Sequence, residues 1–250
     1  MFKAEVQLGK EDHARRLYLN ALIDPKAAIT MKDPEVPADY QFPIDNVINT
    51  FVQAIQSGCF GDSLPVRRLT HHLKQINNVH TYEWEFDFPS IPISAFRILL
   101  NMVKASIYLG SGVVEFSIRE NGIKEQPLLP WEQLKPIASP TPPFQVARKV
   151  EHNSKELQII ITFQNALNDK NLNYVNTLLE TWTGLLMGGF PVRDSEGICT
   201  GQLANIRQMM ATSIVATVDF FYASPEAWNV LLLGLINLHR QASINQVEIY

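Results

Sequence analysis

The segment His80-Thr81-Tyr82-Glu83-Trp84-Glu85-Phe86-Asp87-Phe88 alternates aromatic and acidic side chains from Tyr82 onward. In an extended chain successive side chains point to opposite faces. Tyr82, Trp84, Phe86 and Phe88 therefore share one face, and Thr81, Glu83, Glu85 and Asp87 share the other. A strand of this kind belongs to a sheet covered on one side and wet on the other. It points to a two-layer fold with helices packed against the aromatic side.

Working outward from this strand, Phe2, Ala4, Val6 and Leu8 alternate with Lys3, Glu5 and Gln7, which predicts an opening strand. Apolar residues at helical spacing predict a helix over 44–56, ended by Gly58. A shorter helix is expected over 69–76, ahead of the aromatic strand. A helix over 94–109 and a strand over 113–118 follow. The same succession recurs downstream as a strand over 157–163, helices over 172–187 and 202–210, a strand over 213–222, a helix over 225–242 and a strand over 246–250.

Local matches support a duplication. Asn49 to Ile55 matches Asn176 to Trp182 in apolar pattern, Gly58-Cys59-Phe60 matches Gly188-Gly189-Phe190, and Val114-Glu115-Phe116 matches Val247-Glu248-Ile249. The expected fold is an internally duplicated α/β or α+β two-layer sandwich built from β-α-α-β-α-β units. The first unit spans 1–122 with an insertion over 9–43, and the second spans 150–250. The stretch 123–149 is a proline-rich connector, part of which should lie against one unit because Leu128, Leu129 and Trp131 are too apolar for a free linker.

Composition narrows the function classes. The chain has 250 residues, 46% of them hydrophobic, and 21 basic against 25 acidic side chains, so it can bury a core and carries no polycationic field for nucleic acid. Two cysteines, Cys59 and Cys199, are too few for a disulfide scaffold. No secretory leader or membrane-spanning run is evident, and the expected compartment is the cytoplasm.

The chemistry-bearing residues are sparse. His71 and His72 are adjacent and cannot act as an i, i+4 metal pair on a helix, while His13, His80, His152 and His239 stand alone. Gly184, Gly188 and Gly189 fall within or after a helix, the wrong place for a phosphate-cradling loop. No metal or cofactor is expected. Trp228, Leu231, Leu232, Leu235 and Leu238 form a broad apolar stripe, read as core.

Three carboxylates at i, i+2 and i+4 lie only about 6–7 Å apart along a strand, so Glu83, Glu85 and Asp87 repel unless water or a cation relieves them. Glu5 and Glu115 extend this acidic face if the strands pair. The matching strand of the second copy, Ile214 to Tyr222, is nearly continuous apolar and should be covered on both faces. The function expected from these features is protein binding without bond chemistry. One version is an inhibitor or immunity-type protein that neutralises a basic partner through the acidic face. The alternative is a hydrolase using Cys59 or a histidine in a groove between the units, and a third reading is a structural subunit, including a homodimer.

Overall fold

The computed structural model describes residues 2–9, 12–24, 27, 44–76, 79–108, 110–122, 134–149, 156–191, 198–200, 202–219 and 224–250. The strands among the described residues are β1 Lys3–Gln7, β2 Arg15–Ile23, β3 Arg67–Ile76, β4 Val79–Phe88, β5 Val113–Glu120, β6 Gln145–Arg148, β7 Glu156–Phe163, β8 Met187–Pro191, β9 Ile198–Thr200, β10 Gln202–Met210, β11 Ser213–Asp219 and β12 Ile244–Ile249. The helices among the described residues are α1 Ile44–Gln56, α2 Ile93–Tyr108, α3 Asp169–Leu186 and α4 Pro225–His239.

The fold is α+β, with two mixed five-stranded sheets ordered β1-β5-β2-β4-β3 and β10-β11-β7-β12-β6, and a two-stranded ribbon β8-β9. Within the first sheet, β2-α1-β3-β4-α2-β5 gives antiparallel strands in the order β5-β2-β4-β3, the split β-α-β arrangement of ferredoxin-like folds. A fifth strand, β1, joins β5 in parallel, and β6 joins β12 in the same way. The second sheet repeats this order strand for strand.

By internal contacts the chain divides into two compact units. Unit 1 holds Met1–Val52 and Pro65–Pro136, and unit 2 holds Gln53–Leu64 and Ile137–Tyr250. In unit 1, Leu17, Leu19, Ala21, Trp84, Phe86, Phe88, Phe116 and Ile118 are buried from one sheet face. Phe51 of α1 and Phe96 of α2 meet Phe88 of β4 edge-on, with ring centroids 5.9–6.3 Å apart. Both helices therefore cover the aromatic face, as the alternation of β4 requires. In unit 2, Leu157, Ile159, Ile161 and Phe163 are buried in alternation, and Trp182 of α3 donates its indole N–H to Ala227 O of α4 at 2.8 Å.

Three expectations are corrected. Residues 69–76 and 202–210 form strands where helices were expected. Each carries a register shift, at Arg68/Thr70 and at Leu203/Asn205, and the extra residue of a bulge stretches period 2 into a spacing that imitates a helix. The supposed insertion contains β2, the central strand equivalent to β7, so the opening strand β1 is the counterpart of β6. β6 itself lies inside the stretch read as connector. Leu128, Leu129 and Trp131 lie outside the described residues. Farther along, Ile137 is held to unit 2, its N–H donating to the buried Glu226 carboxylate at 2.7 Å and its carbonyl accepting from Asn229 at 2.8 Å.

Candidate binding face

The face of the unit 1 sheet turned away from the helices is built from five strands whose register fixes its side-chain rows. Arg16, Tyr18 and Asn20 of β2 stand opposite Asp87, Glu85 and Glu83 of β4. On the other side, Tyr18, Asn20 and Leu22 face Arg119, Ser117 and Glu115 of β5, and Glu115 in turn faces Lys3 of β1. Sheet pairing thus brings Glu5, Glu83, Glu85, Asp87 and Glu115 onto one surface.

Four basic side chains form ion pairs with them. Arg16 binds Asp87 through two nitrogens at 2.7 and 3.3 Å and lies 3.7 Å from Glu85. Lys74 of β3 reaches Glu83 at 2.7 Å. Lys3 sits 2.5 Å from Glu5, and Arg119 lies 3.8 Å from the other oxygen of that carboxylate. Cross-strand pairs of this kind relieve the repulsion along β4. The hydrogen bond to Asp87 holds the Arg16 guanidinium above its ordinary pKa, and the bond from Lys3 holds the Glu5 carboxyl below its own. Arg67 of β3 also stands opposite Asp87, so the surface is an alternation of charges with five carboxylates against five cations.

Through its middle runs an uncharged row, Tyr18, Asn20 and Leu22. Tyr18 is 38% exposed. Partial burial raises its hydroxyl pKa, reinforced by the hydrogen bond it donates to Glu85. Beside this row lies a shallow depression of about 340 Å³ lined by Asn20, Leu22, Thr81, Glu115, Ser117 and Arg119. Sequence reasoning missed Arg16, Tyr18 and Asn20, although Leu17, Leu19 and Ala21 alternating with them carried a period-2 signal. It missed Lys74 because β3 was read as a helix.

The other candidates disperse. Cys59 is wholly buried, and desolvation pushes its thiol up to about 12, so it stays protonated at neutral pH and cannot serve as an attacking thiolate. The side chain of Cys199 and all of His152 lie outside the described residues. His71 and His72 point to opposite faces of β3. The His71 ring stacks on Trp84 with centroids 5.7 Å apart and lies 3.7 Å from Asp45, whereas His72 stands opposite Glu83. His13 meets Glu120 at 2.6 Å, and His239 accepts from the Ile244 N–H at 3.0 Å, which gives both a structural partner. Leu231, Leu235, Leu238 and Trp228 are buried as core.

Val215 on the corresponding face of unit 2 is buried, while Thr217 and Asp219 are half-buried, so that strand is less fully covered than its composition suggested. Among the described residues no group of three or more His, Cys, Asp or Glu side chains is placed to hold a metal ion. Nor is any helix there long and apolar enough to cross a membrane.

No protein-family model and no curated protein matches this chain. Among solved structures, similarity is found to a protein of unknown function from Galdieria sulphuraria, with a TM-score of 0.24 at 6% identity over 94% of this chain and 97% of that one. A protein described provisionally as a transcriptional repressor of the glycine cleavage system gives a TM-score of 0.26 at 6% identity, over 95% and 98% of the two chains. Likeness at this level carries no argument about function.

Proposed function

We propose that this chain is a non-enzymatic protein-binding module that receives its partner on the open face of the unit 1 sheet. One observation carries this reading: the uncharged row Tyr18, Asn20 and Leu22, with Tyr18 projecting, lies between flanking rows of charged side chains. Interface centres are depleted in charge and enriched in tyrosine, while their rims are polar. An aromatic side chain that keeps a hydroxyl for hydrogen bonding suits such a centre.

The chemistry of the rim indicates the partner. Each β4 carboxylate already has a cation or a hydroxyl beside it, so the face exerts little long-range pull and discriminates by the positions of its charges. A partner with exposed lysine or arginine at matching spacing can exchange with Arg16 and Lys74 for Asp87, Glu85 and Glu83. An inhibitor of a basic protein is the specific version of this reading.

Affinity capture with the intact chain tests it, comparing wild type, Tyr18→Ala and the triple variant Glu83→Lys, Glu85→Lys, Asp87→Lys. The expected result is one stoichiometric partner retained by wild type and lost from both variants, each shown by circular dichroism to be folded. Equal retention of that partner by all three proteins would overturn the assignment of the face.

A further inference from the structure

Strand β3 closes one edge of the unit 1 sheet. It pairs with β4 on one side, and among the described residues no strand lies on its other side. Its ten residues, RRLTHHLKQI, include no proline, so every outward backbone N–H along this edge is a donor. Positions 71–75 are all exposed, and Leu73 is 56% exposed.

The edge is also one-signed. Arg67, Arg68 and Lys74 are fixed cations, His71 and His72 add basic rings, and the strand has no carboxylate. Register places Arg67, His72 and Lys74 on the open face, opposite Asp87, Glu83 and Thr81, and Arg68, His71 and Leu73 on the other, opposite Phe86, Trp84 and Tyr82. Cations therefore flank both sides of any strand that approaches. Arg68 donates to Asn49 at 2.7 Å and lies over the Phe86 ring at 5.4 Å, which fixes its position at the edge.

Proteins commonly blunt a free edge with bulges and charged side chains, lysine above all. The equivalent edge of unit 2, β10, has two register irregularities and one cation, Arg207. β3 has a bulge too, but carries three fixed cations where β10 carries one. We infer that β3 is a docking edge for an extended acidic segment of a partner protein, which adds to the unit 1 sheet as a sixth strand. The backbone ladder supplies affinity, and the cations on both faces select carboxylates at alternating positions. This edge borders the open face and shares Lys74 with it, but takes a partner segment of opposite charge.

The test uses the intact chain with a fluorescent ten-residue peptide of alternating Glu and Val. Comparison probes are the same peptide N-methylated at alternate residues, a Lys–Val peptide and a single-stranded oligothymidylate. The Glu–Val peptide is expected to bind and to slow hydrogen exchange at β3 amides. N-methylation should weaken binding by about tenfold or more, because it removes ladder donors and leaves the charges in place. The Lys–Val peptide should not bind, and Arg67→Glu with Lys74→Glu should weaken the Glu–Val complex. Three results would overturn the proposal: equal binding of the N-methylated peptide, oligothymidylate binding as tight as the peptide, or protection confined to other strands.

Discussion

Arg16 clamps Asp87 across the β2–β4 pair, with Nε 2.7 Å from Oδ1 and a terminal nitrogen 3.3 Å from Oδ2. This paired contact turns what reads as an acidic strand into one side of a mixed-charge surface. Removing the cations should therefore reveal the field that they cancel. In Arg16→Glu with Lys74→Glu, association with a cationic protein should quicken by about tenfold at low salt and become more salt-dependent than in wild type. Stopped-flow association rates across a salt series check this, and unchanged rates would show that the β4 carboxylates are not accessible to a partner.

Cys59 should behave as an inert core thiol. In the native protein its alkylation at neutral pH should be slow and should become rapid on unfolding, as followed by mass spectrometry of the peptide containing it. The shift also has a consequence for stability. The folded thiol keeps its proton until about 12, against an ordinary value of 9.0, so the unfolded chain releases protons first and stability falls as pH rises between them. Tyr82 and Tyr174, raised mainly by burial, act in the same direction above their ordinary 10.0. Urea midpoints measured as pH rises should decline, and less steeply in Cys59→Ala.

Gly58 follows α1 in a left-handed conformation, φ 79°. A Cβ there would lie 1.8 Å from Nδ2 of Asn237, the nitrogen that donates to Gly61 O at 2.6 Å. Gly58→Ala combines backbone strain with the loss of a buried amide's hydrogen bond, and should cost about 2–4 kcal/mol in urea unfolding. A change within experimental error would mean that this turn relaxes freely.

Trp84 is buried beneath His71, and its indole N–H donates to Asp45 at 3.2 Å. Asp45→Ala leaves that donor without its acceptor, at an expected cost of about 1–2 kcal/mol. Unfolding followed by tryptophan fluorescence measures it. Asp45→Asn, which keeps an acceptor, should recover most of the loss.

The layered fold was legible in β4, because four aromatic residues at period 2 demand a covered face, and the repeat was legible in the matched helices α1 and α3. The edge strands β3 and β10 were not. Their bulges place Leu69 and Leu73, and Leu203 and Ile206, at intervals that resemble helical turns, and exposure removes the clean alternation of a half-buried strand. Mistaking β3 hid Lys74, and placing β2 in an insertion hid Arg16 and Tyr18. The five carboxylates could be placed on one face if the strands pair, and Lys3 beside Glu5 within one strand, but Arg16, Lys74 and Arg119 could not be matched to their carboxylates, since those ion pairs depend on which strands are neighbours. Strand order is set by packing and chain crossover, neither of which leaves a local mark in composition.

The central claim is that the open face of unit 1 receives a protein. Hydrogen exchange of the complex with the captured partner, recorded against the free chain, tests it most directly. The account predicts that protection rises in β2, β4 and β5 around Tyr18, Glu85 and Arg119, and that Tyr18→Ala removes it. Protection that leaves these strands unchanged while the partner is bound would contradict the account.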